Sequence, residues 1–223
     1  MTNPLENYVR EQSSPEPDYL YRLWRDTNVR TLHGHMASGH LQGRLLKMLV
    51  TMIRPQRILE VGTFSGYSAL CMAEGLACLA DEDPENMGDA HLWTFEKNDE
   101  MEDFARPWIE NSSYADRITL IIGDANQEAP RLGLTFDLAF LDGDKRTYVE
   151  TYETLFPLVR PGGFILADNT LWDSHVIDPN YERDHQTEGI RRFNDHLCQD
   201  NRVEQVILPM RDGLTLIRKK PSP

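Results

Sequence analysis

The sequence predicts an α/β fold: a seven-stranded, mostly parallel sheet with helices on both faces and an antiparallel C-terminal hairpin. Three observations predict it. From residue 57 onward short apolar runs alternate with helical segments, the last two runs are joined by a turn of hairpin length, and 223 residues with 40% hydrophobic content suffice for one well-filled core. One domain is therefore expected over residues 1–223.

The elements follow in order. Tyr19, Leu20, Leu23 and Trp24 recur at helical spacing and predict an amphipathic helix over 18–30 that precedes every other element. A second helix is expected over 41–53, stopped by Pro55. The apolar runs at 57–61, 91–96, 117–122, 136–141 and 163–167 read as strands, and the segments 66–79, 99–111, a short one near Gln127, and 145–159 as helices. A further helix over 187–199 leads to strands at 203–208 and 214–219, with Asp212-Gly213 as the turn signal between them. Strands joined so tightly are antiparallel, so one strand of the seven is reversed. Residues 80–90 read as an acidic, breaker-rich loop, and the terminal Pro221-Ser222-Pro223 as frayed.

Bulk properties remove several function classes. The formal net charge of −13 repels phosphate, which argues against nucleic acid and anionic membranes as partners. No segment has signal-peptide or membrane-spanning length. Cys71, Cys78 and Cys198 lack CxxC spacing and fall in predicted helices, which suits buried, reduced thiols in a cytoplasmic protein. His33, His35 and His40 have no further His or Cys at zinc-ligand spacing, so surface or lid roles are expected of them.

In an open parallel sheet ligands collect beyond the C-terminal ends of the strands, so the residues that end each run carry the chemistry. The first run ends in Glu60-Val61-Gly62-Thr63-Phe64-Ser65-Gly66-Tyr67-Ser68, where the glycines allow a tight turn and close approach of a ligand. Phe64 stands where a dinucleotide fingerprint needs glycine, so a cofactor without a pyrophosphate fits better. A plain strand-to-helix turn would look the same. Glu96 ends the second run, where a carboxylate can accept both hydroxyls of a ribose or simply cap the next helix.

The fourth and fifth runs end in Asp142-Gly143-Asp144-Lys145 and Asp168-Asn169-Thr170-Leu171-Trp172-Asp173. Adjacent parallel strands would gather Asp142, Asp168 and Asn169, two carboxylates and an amide oxygen, a set of hard ligands suited to Mg²⁺, Ca²⁺ or Mn²⁺. Either pair of acids alone would serve equally as helix caps, but both together need a compensating cation. Lys145 lies on the first turn of a helix, where the helix dipole disfavours a positive charge. It is a candidate general base beside a metal, or else the partner of Asp142 or Asp144 in a salt bridge.

These motifs, with Met36-Ala37-Ser38 and Leu208-Pro209-Met210-Arg211-Asp212-Gly213, resemble those of the metal-dependent catechol and caffeoyl-coenzyme A O-methyltransferases and their bacterial relatives, over about residues 36–219. The resemblance implies a Rossmann-like class I methyltransferase, usually a homodimer, that uses S-adenosyl-L-methionine and a divalent cation, with Mg²⁺ foremost. It implies Asp142, Asp168 and Asn169 as metal ligands and Lys145 as the catalytic base. Ala37, Glu60, Gly62, Thr63, Ser68, Glu96 and Ala125 become the cofactor shell, with Asp142 and Asp144 beside them, Glu96 on the ribose and Gly123-Asp124-Ala125 by the adenine. Trp172 and Asp173 would contact the acceptor, and residues 1–35 would form a helical cap over it, offering Tyr19, Tyr21 and Trp24. Asp173 stands where the plant enzymes commonly have Asn, so their substrate does not carry over.

The function expected is therefore metal-dependent O-methylation of a small catechol-like or phenolic acceptor. Three rivals are weighed against it. A transfer RNA hydroxyuridine O-methyltransferase conflicts with the net charge, and a nicotinamide-dependent oxidoreductase conflicts with Phe64 and the terminal hairpin. A non-catalytic cofactor-binding protein conflicts with the intact set of Asp142, Lys145, Asp168 and Asn169.

Overall fold

The computed structural model describes residues 4–221, so two of the three residues expected to fray, Ser222 and Pro223, lie outside the described residues. Its strands are β1 (Arg57–Val61), β2 (His91–Glu96), β3 (Ile118–Ile122), β4 (Phe136–Leu141), β5 (Val159–Asp168), β6 (Val203–Leu208) and β7 (Leu214–Lys219). They form one seven-stranded sheet in the order β3-β2-β1-β4-β5-β7-β6. β4 pairs parallel with β1 and with β5, whereas β7 runs antiparallel to both β5 and β6. The mostly parallel sheet with one reversed strand in a terminal hairpin is the arrangement the sequence predicts.

The helices are α1 (Pro4–Gln12), α2 (Asp18–Arg30), α3 (Gly39–Ile53), α4 (Tyr67–Glu82), α5 (Pro84–Met87), α6 (Glu102–Glu110), α7 (Ala125–Arg131), α8 (Tyr148–Leu155) and α9 (His185–Gln199). Most lie where the periodicity puts them, and the departures have local causes. α1 was not expected; it buries no residue, and Leu5, Tyr8 and Val9 stay exposed. The 80–90 loop is half helical, since α4 runs on to Glu82 and Asp83 then caps α5, with Pro84 at its first position. The helix expected at 145–159 begins as a 3-10 turn over Lys145–Thr147 and ends in another over Phe156–Leu158. β5 begins at Val159, ahead of the strand expected at 163–167, because the register with β4 shifts between Phe136 and Leu138 instead of breaking. Of the cysteines expected to be buried, Cys71 is, Cys78 is half-buried and Cys198 is exposed on α9.

The chain divides into two compact units. One comprises the residues up to Gln56 together with Thr63–Leu92 and Asn98–Leu120. Within it Arg44 of α3 donates two hydrogen bonds to Glu74 of α4, at 2.9 and 2.5 Å, and Lys47 approaches the same carboxylate at 2.9 Å. These cations hold Glu74 below the usual carboxylate range although burial pushes it upward. The other unit comprises Arg57–Gly62, Trp93–Lys97 and the chain from Ile121 onward. Its core joins Phe136, Leu141, Ile165 and Ile217 of the sheet to Tyr148, Tyr152, Ile190 and Phe193 of α8 and α9. It carries most of the residues to which chemistry was assigned.

Candidate active site

Leu141 sits opposite Ala167 in the β4–β5 register, so the residues that follow, Asp142 and Asp168, come from the C-terminal ends of neighbouring strands. Asp168 is buried and Asp142 half-buried. Lys145 is buried too, and its Nζ donates to Asp142 Oδ1 at 2.6 Å and to the Tyr148 hydroxyl at 2.7 Å. The salt bridge left open as an alternative is thus formed, inside the cluster and not on the surface. Asn169 donates its backbone N–H to Asp168 Oδ1 at 2.9 Å and its side-chain amide to Asp212 Oδ2 at 3.5 Å. That orientation leaves the amide oxygen available as a hard donor.

The segment after β5 is held in conformations that L-residues rarely adopt. Asn169, Trp172, Asp173 and Ser174 have φ of 57°, 47°, 50° and 65°, in the left-handed region. The β6–β7 turn holds them there by backbone bonds: Thr170 N donates to Gly213 O at 3.1 Å, and Leu171 N and Trp172 N donate to Asp212 O at 2.7 and 3.1 Å. Gly213 has φ 87°, and a Cβ there would lie 2.7 Å from Leu171 N, so the approach requires glycine. From the other side Arg191 of α9 donates to the carbonyls of His175, Val176 and Asp178 at 2.9, 2.9 and 2.7 Å. Trp172 packs against the core, while the Asp173 side chain is 88% exposed. Sequence reading missed the supporting roles of Asp212, Arg191 and Tyr148. Asp212-Gly213 registered as a hairpin turn and as part of a family motif, with no sign that its carbonyls hold residues 170–172.

Of the residues expected around a cofactor, Glu60 is fully buried in β1 and Glu96 half-buried at the end of β2. The Glu96 carbonyl accepts from Gly123 N at 2.7 Å, which sets Asp124 as the cap of α7 and buries Ala125 as its first residue. Lys97 donates to Asp124 at 2.8 Å and holds its carboxyl below the ordinary value. Gly62 has φ 97°, and a Cβ there would fall on the Asp142 carbonyl oxygen, well inside van der Waals contact. The glycine therefore serves the approach of the β1 turn to the end of β4, a constraint the sequence did not reveal. Asp144 caps Arg146 N at 3.1 Å and takes the Arg146 guanidinium at 2.5 Å, which lowers its pKa. Ala37, Thr63 and Ser68 belong to the other unit, where all three are buried.

His33 and His35 are exposed, and His40 Nε2 lies 2.6 Å from the Ser14 carbonyl. A separate cluster brings ligand atoms of Glu153, His196 and Asp200 within 4.8 Å of one another. Arg202 already supplies its positive charge, with contacts of 2.5 Å to Glu153 and 2.8 Å to Asp200, so the cluster is a structural ion network. Arg202 lowers the Asp200 pKa to about 2, below its unfolded value, so this pairing stabilises the fold above about pH 4 and is lost as pH falls toward 2. Arg202→Ala is expected to raise the midpoint of acid unfolding followed by circular dichroism and to leave stability at pH 7 reduced.

Comparison with known proteins places the fold in a family. The profile of the O-methyltransferase family matches residues 10–220. Caffeoyl-CoA O-methyltransferase 2 of Zea mays is 31% identical over 233 aligned positions, covering 98% of this chain and 83% of that enzyme. The SAH-bound methyltransferase PaMTH1 of Podospora anserina superposes with a TM-score of 0.85 at 30% identity, covering 97% of this chain and 94% of the other. The O-methyltransferase of Bacillus cereus, in complex with SAH, gives 0.84 at 28% identity, with 97% of both chains covered. The chain belongs to the O-methyltransferase family.

Proposed function

We propose that this protein transfers a methyl group from S-adenosylmethionine to a hydroxyl of a small catechol-like or phenolic acceptor, with a divalent cation held by Asp142, Asp168 and Asn169. The observation that carries the reading is that Asp142, hydrogen-bonded to Lys145, and Asp168, followed by Asn169, end two adjacent parallel strands. Two carboxylates and an amide oxygen fit a hard cation. The buried Glu60 and half-buried Glu96 suit a ligand that carries an ammonium group and ribose hydroxyls. The solved relatives with bound SAH support that cofactor, and the resemblance adds Ala37, Gly62, Thr63, Ser68, Ala125 and Asp144 to its shell.

A cation held there would supply Lewis acidity toward an acceptor hydroxyl, and S-adenosylmethionine would supply the methyl group as a sulfonium. The Lys145 amine takes the hydroxyl proton. The acceptor oxygen forms its bond to the methyl carbon as the carbon–sulfur bond breaks, and S-adenosylhomocysteine leaves as a neutral thioether. Trp172 and the exposed Asp173 are the residues proposed to meet the acceptor. The name of the Zea mays relative supports a phenolic acceptor. A homodimer rests on the resemblance alone and is read by light scattering.

The test incubates the purified protein with labelled S-adenosylmethionine, Mg²⁺ and a panel of vicinal diphenols, with and without EDTA. Transfer is expected, abolished both by chelation and by Asp168→Ala. Transfer that survives EDTA and Asp168→Ala undiminished overturns the metal assignment. Cofactor binding without methylation of any diphenol overturns the small-phenol reading and makes transfer RNA the next substrate.

A further inference from the structure

Tyr148 opens α8, fully buried, its ring meeting Phe193 of α9 edge-on at 5.2 Å and 85°. Its hydroxyl accepts from Lys145 Nζ at 2.7 Å and donates to the Asp168 carbonyl at 2.9 Å, with the Leu141 carbonyl at 3.3 Å. Both carbonyls can only accept, so the hydroxyl keeps its proton and directs it at them. A neutral phenol has one hydrogen to give, and the two backbone carbonyls take it. Lys145 therefore meets an oxygen lone pair. Its ammonium has three N–H groups, of which Asp142 takes one at 2.6 Å and Tyr148 a second.

We propose that Tyr148 is a positioning residue for methyl transfer: with Asp142 it occupies two of the three N–H positions of Lys145, leaving a single position to exchange a proton with the acceptor oxygen. The same hydroxyl ties the Lys145 nitrogen to the backbone at the end of β5, so the base and the residue that carries the Asp168 carboxylate move together. Tyr148 touches neither acceptor nor cofactor in this assignment and acts through Lys145. The inference rests on the reading of Lys145 as the base.

The test is a double-mutant cycle with Tyr148→Phe and Lys145→Met, with an amine-detected nuclear magnetic resonance experiment on the same proteins. Tyr148→Phe keeps the ring and removes only the hydroxyl. Displacing a base by a fraction of an ångström to an ångström lowers kcat by up to about 10²-fold. We expect a loss of that order in the otherwise native enzyme, with the S-adenosylmethionine KM changed less than about twofold, and no further loss in the Lys145→Met background. Equal losses in both backgrounds would show that Tyr148 acts through the fold alone and would overturn its assignment while leaving Lys145 as base. A Lys145→Met enzyme with unchanged turnover overturns both. The resonance experiment needs no acceptor: an ammonium held at two points gives a slowly exchanging ¹H–¹⁵N signal, assigned by its loss in Lys145→Met. Its disappearance in Tyr148→Phe is expected, and its persistence at the same shift overturns the proposal.

Discussion

Lys145→Ala is expected to lower kcat by about 10²–10⁴-fold, the usual contribution of a positioned general base, while S-adenosylmethionine binding measured by calorimetry changes little. The same substitution should move cation affinity the other way. Lys145 Nζ lies 2.6 Å from Asp142 Oδ1, and a positive charge at that distance opposes a second cation on the same carboxylate. Both groups are shielded from water, with side-chain exposures of 7% and 23%, so screening is weak. Titration of the Lys145→Ala enzyme with Mg²⁺ is therefore expected to give tighter binding than the parent. A slower enzyme with weaker Mg²⁺ binding would instead mean that Lys145 supports the geometry of Asp142, and its role as base would lose this argument.

Gly62→Ala is expected to have the largest effect on stability of any single methyl group added to the chain. The position combines φ of 97° with an approach of the Asp142 carbonyl that leaves no room for a Cβ. Strain at such a backbone costs about 1–3 kcal/mol, and overpacking adds a similar amount. A total of about 3 kcal/mol or more is expected in urea unfolding, or a melting temperature lower by about 10 °C for a chain of this size. Because the clash is with Asp142 itself, the surviving folded fraction should also bind Mg²⁺ weakly. An alanine variant that melts with the parent would mean that the β1 and β4 ends part without cost.

Much of this was legible beforehand, and the reason lies in period and position. The strands at 57–61, 91–96, 136–141, 203–208 and 214–219 have their expected bounds because apolar runs between breakers define strand edges well. The candidate site was legible because in a parallel sheet the residue after each strand must face the same end, so Asp142 and Asp168 were neighbours as soon as their strands were. What escaped was support. Tyr148 and Arg191 read as ordinary helix residues, since only the tertiary fold aims one hydroxyl at Lys145 and one guanidinium at three carbonyls. The backbone approach at Gly62 escaped for a related reason: a glycine marks a close approach but does not name every group that makes it.

The loop that carries Asn169, Trp172 and Asp173 owes its path to main-chain groups. Carbonyls of Asp212 and Gly213 receive its N–H groups on one side, and its own carbonyls receive Arg191 on the other. Trp172 adds its packing against the core, whereas the Asp173 side chain, 88% exposed, adds little to that restraint. The acceptor contact proposed for Asp173 is therefore separable from the scaffold: replacing that exposed side chain leaves in place the backbone bonds that set the path of the loop.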